Sequence, residues 1–363
     1  MNPEDRAWEV VRRAYEERVP APRPTSNRLV LAIAVLALGA VALAAFSPPG
    51  HAVFERVRRA VGVEHAAPAL AALPAPGRLL VQSYTGTWVV DTDGAKRNLG
   101  AWQYAAWSPH GRFVVVAKAN ELAALDPKGA VRWTLARHDV AWPAWEGTNV
   151  DTRIAYFAAT GLRVVAGDGT GDKLLDAYAQ DEPAAWDPAR LHTLAYETGG
   201  AVVLRQVDSG RELWRTNVPV YGRLVWSSDG RLLALVAPTR IVVLDANGKR
   251  LRWVSTLTGQ LLAAAFKPGT HELAVQARFE RVASRRSEVK LVDVDHPGHA
   301  RLLFAGPGAF GDIAWSPNGR WLLVDWPTAN QWVFLHGSRV HAVGNVEAQF
   351  GQMLQLTNSW CCR

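Results

Sequence analysis

Ala314-Trp315-Ser316-Pro317-Asn318-Gly319-Arg320-Trp321-Leu322-Leu323-Val324 decides how this chain is read. An apolar residue and a Trp precede a polar turn with Gly, and strand formers follow, so the stretch predicts two antiparallel strands joined tightly. The phrase recurs. Ala106-Trp107-Ser108-Pro109-His110-Gly111-Arg112-Phe113-Val114-Val115 and Val225-Trp226-Ser227-Ser228-Asp229-Gly230-Arg231-Leu232-Leu233-Ala234 repeat it almost word for word.

Followed along the chain, the aromatic of that phrase falls at Trp107, Trp145, Trp186, Trp226, Phe266, Trp315 and Phe350, at intervals of 38, 41, 40, 40, 49 and 35 residues. Short strands on a period near 40 are the signature of a β-propeller, four strands to a blade. Worn copies keep the beat: Ala185-Trp186-Asp187-Pro188, Ala265-Phe266-Lys267-Pro268-Gly269 and Ala144-Trp145-Glu146-Gly147. A second period, Asp126 to Gly129 with Trp133, Asp208 to Gly210 with Trp214, and Asp245 to Gly248 with Trp253, marks a turn followed by a Trp. Each of these indoles is expected to pack one blade on the next.

The ends bear on the blade count. Leu79-Leu80-Val81-Gln82, Thr87-Trp88-Val89-Val90 and Lys96-Arg97-Asn98-Leu99 supply strands two, three and four of a blade that lacks its first. Val346-Glu347-Ala348-Gln349-Phe350 reads as that missing strand. Pairing the two closes the ring and removes its open edges. The expectation is an all-β, seven-bladed propeller over residues 78–363, closed by a C-terminal strand, with six blades as the alternative.

Upstream, residues 2–18 predict a short helix, with Asn2 as N-cap, Pro3 at the first position and arginines late. Trp8, Val11 and Tyr15 share one of its faces, which either touches lipid headgroups or docks a cytoplasmic protein. Leu29 to Phe46 then runs for 18 residues without a charge, about 27 Å as a helix. A membrane anchor fits better than a signal peptide, because 28 residues precede the run and the nearest Ala-x-Ala triplets, such as Ala42 to Ala44, lie inside it. Six arginines lie before the span and three in the twenty residues after it, so the N-terminus is expected in the cytoplasm and the propeller outside. His51 to Val63 has an amphipathic pattern, and Ala66 to Gly77 is a spacer rich in Ala and Pro. The expected order is a cytoplasmic juxtamembrane helix (1–28), a transmembrane helix (29–46), an amphipathic helix and linker (47–77), and the propeller.

The Trp-Ser-Pro-x-Gly-Arg phrase, in an array covering residues 78–351, resembles the propeller repeats of the TolB-like and WD-repeat superfamily. The Asp-x-x-Gly-x-x-x-Trp phrase looks like the repeats of quinoprotein-type propellers. The layout of short helix, span and exported propeller resembles membrane-anchored propeller proteins of high-GC actinobacteria, some of them suspected anti-sigma-like sensors. The resemblance therefore implies a sensing or interaction module that signals to a cytoplasmic partner such as a sigma factor. Propellers host many activities, so function has to be argued from the site.

Of 363 residues, 40 are Lys or Arg and 33 Asp or Glu, a net +7. That diffuse excess, with no basic stripe or interleaved aromatics, excludes a nucleic-acid reading. No Gly-x-Ser-x-Gly elbow, His-Glu-x-x-His or phosphate-binding Gly loop occurs, so no enzyme and no cofactor is expected. Asp168-Gly169-Thr170-Gly171-Asp172 begins like a calcium loop but has Ala179 at the twelfth position, so a strand turn is preferred. Asp293, Asp295, His296 and His299 carry metal-ligand chemistry but fall where a turn is expected. The two cysteines, Cys361 and Cys362, are adjacent; they can form a vicinal disulfide or link two chains, and a tail cap is preferred to a redox site.

The beat slips most between Phe266 and Trp315. There Arg278, Glu280, Arg281, Arg285 and Arg286, with Glu288, predict a long charged hairpin, either simply solvated or binding an acidic partner or phospholipid. Trp326, Asn330 and Trp332 fall beside the corresponding loop of the next blade and are expected to border the same surface. The reading favoured is a membrane-anchored, extracytoplasmic interaction or sensing propeller that binds a protein or envelope component. An exported propeller enzyme, quinoprotein-like or hydrolytic, and a purely structural envelope scaffold are the alternatives.

Overall fold

Ser316 explains why the repeated phrase is so constant. Its hydroxyl donates to Asn318 Oδ1 at 2.8 Å and accepts the Trp321 N–H at 2.9 Å, while the Gly319 N–H closes on the Ser316 carbonyl at 2.8 Å. Gly319 turns the chain with a φ of +64°, a conformation open to Gly at little cost. Ser227 repeats the arrangement, with Asp229 at 2.7 Å and the Leu232 N–H at 3.0 Å. The result is a fixed register, Trp315 opposite Leu322 and Trp226 opposite Leu233.

In the computed structural model the described residues are 72–254, 259–281, 284–296, 300–352 and 359–362. They form seven four-stranded antiparallel sheets, so the six-bladed alternative is excluded. The chain begins with β1 (Arg78–Ser83), β2 (Gly86–Val90) and β3 (Lys96–Gly100). Blade 1 is β4 (Tyr104–Trp107), β5 (Val114–Lys118), β6 (Glu121–Leu125) and β7 (Val131–Ala136). Blade 2 is β8 (Ala141–Gly147), β9 (Thr152–Ala158), β10 (Gly161–Ala166) and β11 (Lys173–Asp176). Blade 3 is β12 (Ala185–Trp186), β13 (Thr193–Thr198), β14 (Ala201–Gln206) and β15 (Glu212–Asn217). Blade 4 is β16 (Arg223–Trp226), β17 (Leu232–Ala237), β18 (Arg240–Asp245) and β19 (Arg250–Val254). Blade 5 is β20 (Gln260–Phe266), β21 (Glu272–Arg281), β22 (Ser284–Asp293) and β23 (Ala300–Pro307). Blade 6 is β24 (Ile313–Trp315), β25 (Leu322–Trp326), β26 (Gln331–His336) and β27 (Arg339–Gly344).

Blade 7 corrects one expectation. Residues Val346–Phe350 form a short helix, α1, and the missing first strand is β28 (Ser359–Cys361), paired with β1 as Arg78↔Cys361, Leu79↔Trp360 and Leu80↔Ser359. Glu347, Ala348 and Gln349 are good helix formers. Phe350 is buried against Trp332, with ring centroids 4.9 Å apart and nearly parallel planes, rather than ending an inner strand. Trp360 takes the place on the beat assigned to Phe350, and the pair Cys361-Cys362 belongs to the closing strand and its end, not to a loose tail.

Blades are stitched by indoles. Trp186 donates to the Ala144 carbonyl at 2.9 Å, Trp226 to Ala185 at 3.2 Å and Trp315 to Ala265 at 3.1 Å. Each acceptor stands one residue before the corresponding aromatic of the preceding blade. Farther out, Trp133 donates to Gly167 at 2.9 Å and Trp214 to Ala246 at 3.0 Å, each in the three-to-four turn of the following blade. This is the blade-to-blade packing expected of those tryptophans; the side chain of Trp253 lies outside the described residues. The core is divided accordingly, a Val- and Leu-rich cluster filling each gap between neighbouring sheets.

The end of the expected linker is docked rather than free. Leu73 and Ala75 are buried, the Leu73 N–H donates to the Thr92 carbonyl at 2.9 Å, and the Thr92 hydroxyl donates to Gly77 O at 2.7 Å. The predicted helix 2–18 with Trp8, Val11 and Tyr15, the span 29–46 and the amphipathic segment 51–63 lie outside the described residues. Among the described residues no helix is long and apolar enough to cross a membrane.

Candidate functional site

All seven inner strands run the same way, so their first residues, the connectors leading to them and the two-to-three turns gather on one face. A cavity of about 650 Å³ opens there around the propeller axis, a size typical of ligand sites. Its lining includes an unbroken arc over blades 7, 1, 2, 3 and 4: Gln82, Tyr104, Trp142, the Asp181-Glu182 pair, then Tyr221 and Arg223.

Each member is held by its element. Tyr104 opens β4 and packs on Trp142, ring centroids 4.6 Å apart; Trp142 holds a φ of +50°, a strained value for an aromatic residue of the kind that collects at functional sites. The connector after β11 is pinned to blade 3 by the Gln180 N–H on Glu197 O at 2.7 Å. It thereby presents Asp181 and Glu182 at the rim, and Pro183 and the two-residue β12 follow. Gln82, at the inner end of β1, has no exposed surface, and neither its carboxamide oxygen nor its nitrogen has a hydrogen-bond partner.

Charge at this mouth is mostly negative, in contrast to the basic chain. The lining holds three carboxylates, Asp181, Glu182 and Asp312, and one guanidinium, Arg223. Arg223 Nη1 lies 3.3 Å from Asp312 Oδ1. Burial raises the Glu182 carboxyl above the ordinary value, Asp181 adds to the rise, and Arg223 opposes it. Behind it, burial pushes Glu197 up to about 7 against the Gly222 N–H that it accepts at 3.1 Å, with Glu182 adding to the rise. Burial and then Asp181 raise the Tyr104 phenol. Deeper still, burial and Asp312 hold the Asp325 carboxyl well above the usual range.

Exposed tyrosines stand on this face, and Tyr221 lines the cavity itself. Tyr84 stands in the two-to-three turn of blade 7, and Tyr178 and Tyr221 in the connectors before blades 3 and 4, at 71%, 86% and 48% exposure. Aromatic residues of this kind are enriched in protein interfaces.

The long charged hairpin, β21 and β22, rises from the same face over blade 5, as its length predicted. Its charges largely answer one another. Glu280 lies 3.3 Å from both Arg278 and Arg285, and Glu288 pairs with Arg286 and, at 2.9 Å, with Lys290. Arg278 also donates to Gln260 Oε1 at 2.7 Å, which brings it to the cavity rim. Arg281 is at the tip, where its side chain falls outside the described residues.

Trp326 and Trp332 are corrected from surface to core. They are 2% and 0% exposed, because Trp326 wedges against Phe304 and Phe310 at 5.6 and 5.4 Å while Trp332 stacks on Phe350. Asn330 ends the blade 6 turn with a φ of +54° and its side chain accepts the Glu347 N–H at 2.8 Å, a structural duty. Asp172 is bound by Arg163, Arg137 and the Tyr156 hydroxyl at 2.7, 2.5 and 2.7 Å. Asp293 pairs with His296 and Asp295 with His271, at 3.2 and 2.6 Å, in blade 5 turns; His299 lies outside the described residues. Cys361 and Cys362 sit with their sulfurs in bonding range, Cys361 facing the channel.

The mouth residues escaped the sequence reading, although one signal was present. In strand two, the residue three positions after the partner of the repeat aromatic is apolar in blades 1, 2 and 4 but Gln82, Glu197, Gln276 and Asp325 in the others, all buried. Two of these tie down the connector that follows, Glu197 through Gly222 and Gln276 through the Phe310 carbonyl at 2.9 Å.

No family model matches the sequence, and no curated protein is similar to it. Solved structures are. The β-propeller domain of Cps50 (Swd1) from Myceliophteria thermophila superposes with a TM-score of 0.52 at 12% identity, covering 74% of this chain and 88% of that one. The WD40 domain of Neurospora crassa Pan2 gives 0.54 at 10% identity, over 77% and 89%. Kuenenia stuttgartiensis hydrazine synthase gives 0.53 at 14%, over 64% and 75%. Likeness at such identities concerns the fold alone, a WD40-like seven-bladed propeller.

Proposed function

We propose that this protein is a non-enzymatic interaction module whose channel-mouth face binds a polypeptide partner. The observation that carries the reading is the cavity of about 650 Å³ lined by Tyr104, Trp142 and the half-exposed Tyr221, with the unpartnered Gln82 carboxamide in its wall. A buried amide without partners is costly in the free protein and is satisfied when a ligand supplies them. The hairpin around Arg285 and Arg286 adds a charged rim on the same side.

The sequence supports a wider setting. Residues 29–46 anchor the chain in the cell membrane with the N-terminus in the cytoplasm, the propeller stands outside, and Trp8, Val11 and Tyr15 meet a cytoplasmic protein. Site-specific photo-crosslinkers at Tyr84 and Tyr221 in the full-length protein in its native membrane test the docking face. Adducts are expected from both positions and not from Arg231 on the opposite face. Equal labelling from all three, or none, refutes it. Protease digestion of intact cells tests the orientation: the propeller should be degraded and residues 1–28 protected.

A further inference from the structure

The acidic arc is more specific than a generic interface requires. Asp181 and Glu182 have no ion pair among the described residues, whereas the nearby cations are already answered: Arg223 by Asp312, and Arg278 by Glu280 and Gln260. The two carboxylates line the same cavity as the Tyr104-Trp142 pair, Asp181 near enough to raise the Tyr104 phenol, and the rings supply negative faces that attract a cation. Gln82, on the other side of Tyr104, offers an amide donor and an amide acceptor together, the complement of a peptide backbone rather than of a simple ion.

We infer that the mouth holds a lysine or arginine side chain of an extended polypeptide segment, its cation between Asp181 and Glu182 against Tyr104 and Trp142, its backbone amide on Gln82. This rests on the docking face proposed above and names what is recognised there. The aliphatic stem of such a residue covers the aromatic wall while its head reaches the carboxylates. An acidic segment would meet three carboxylates and one guanidinium that is already paired. A neutral one would leave Asp181 and Glu182 without a counter-charge in a partly desolvated site, where charge complementarity sets specificity.

The test uses the purified full-length protein and dye-labelled Gly-Ser peptides with one central Arg, Gln or Glu, read by fluorescence anisotropy. The Arg peptide should bind about tenfold more tightly than the Gln peptide, as a charge-assisted pair requires, and the Glu peptide more weakly still. The preference should shrink as salt is raised. The double variant Asp181→Asn with Glu182→Gln should bind the Arg peptide no better than the Gln peptide. Gln82→Ala should weaken both peptides by a similar factor, with an unchanged circular dichroism spectrum showing that the fold is kept. Binding of Gln or Glu peptides as tight as Arg overturns the inference, as does a preference that survives the double variant or no binding of any peptide at about 1 mM. Free arginine amide competing as well as the peptide overturns it too, since the occupant would then be a small cation. Crosslinks from Tyr221 that persist while the charge preference fails refute this inference alone; absent crosslinks refute the docking face itself.

Discussion

Arg223 of blade 4 reaches over blade 5 to Asp312, which precedes the inner strand of blade 6, with 3.3 Å between Nη1 and Oδ1. The pair fixes one side of the channel mouth, and the Asp312 side chain is nearly sealed from solvent while Arg223 is about one-third exposed. Removing the guanidinium leaves a carboxylate in a low-dielectric site already shared with Asp325. Arg223→Ala is therefore expected to cost about 1–3 kcal/mol. Adding Asp312→Asn should recover part of that loss. Urea unfolding of the two single variants and the double variant gives the coupling, and strictly additive losses would show that the pair contributes nothing.

The stitching indoles give a second expectation. Trp226→Phe keeps most of the buried ring but removes the donor to the Ala185 carbonyl, so it should cost about 1 kcal/mol. Trp226→Ala also empties a buried site and should cost about 3–5 kcal/mol. Phe266 already stands at the corresponding place in blade 5 without a donor, so the fold tolerates the milder change. Chemical denaturation of both variants checks the ranking.

His271 carries the pH dependence on the opposite face. It lies between Asp295 at 2.6 Å and Asp229 at 3.1 Å, joining the turns of blades 4 and 5. Burial lowers its pKa, but the hydrogen bonds to Asp295 and Asp229 outweigh that and raise it above the ordinary value. A raised folded-state pKa means that the stabilisation is fully present below the unfolded value near 6.5 and is lost as pH rises through the folded value. For Asp229, burial works upward, yet Ser227, the Arg231 N–H and His271 bring it down to about 2. Its contribution is present above the ordinary carboxylate value and is lost as pH falls towards 2. The thermal midpoint of the wild type should therefore decline from pH 6 to 8 relative to His271→Asn, and parallel curves would count against the assignment.

How far the sequence could be read depends on what kind of constraint each residue carries. Trp315-Ser316-Pro317-Asn318-Gly319-Arg320 was legible because its constraints are local, a hydroxyl, a left-handed Gly and a strand register within a few positions. The blade count followed from repeating that unit. The channel mouth was not legible, because Gln82, Tyr104, Trp142 and Asp181 come from four blades and meet only when the ring closes. Trp326 and Trp332 were misread for a related reason: their position beside a loop suggested exposure, whereas Phe304, Phe310 and Phe350 from neighbouring segments cover them.

Closure itself supplies the last expectation, and it separates the two candidate closing segments. Trp360 sits opposite Leu79 in the inner pair of blade 7, is 8% exposed and meets the edge of Phe334 at 5.7 Å. Without β28, β1 would present an unpaired edge at the centre of the ring, the kind of edge that recruits other chains. Trp360→Ala should cost about 3–5 kcal/mol, and a chain ending at residue 358 should lose its single cooperative transition and aggregate. Phe350 is equally buried, so Phe350→Ala should also destabilise. It should do so without opening the ring, because α1 packs beside the closing blade and does not pair with β1. Native-state hydrogen exchange distinguishes the two: Trp360→Ala should release the amides of β1 selectively, and Phe350→Ala should leave them protected. If the β1 amides are released by Phe350→Ala instead, residues 346–350 close the ring and the assignment of β28 is wrong.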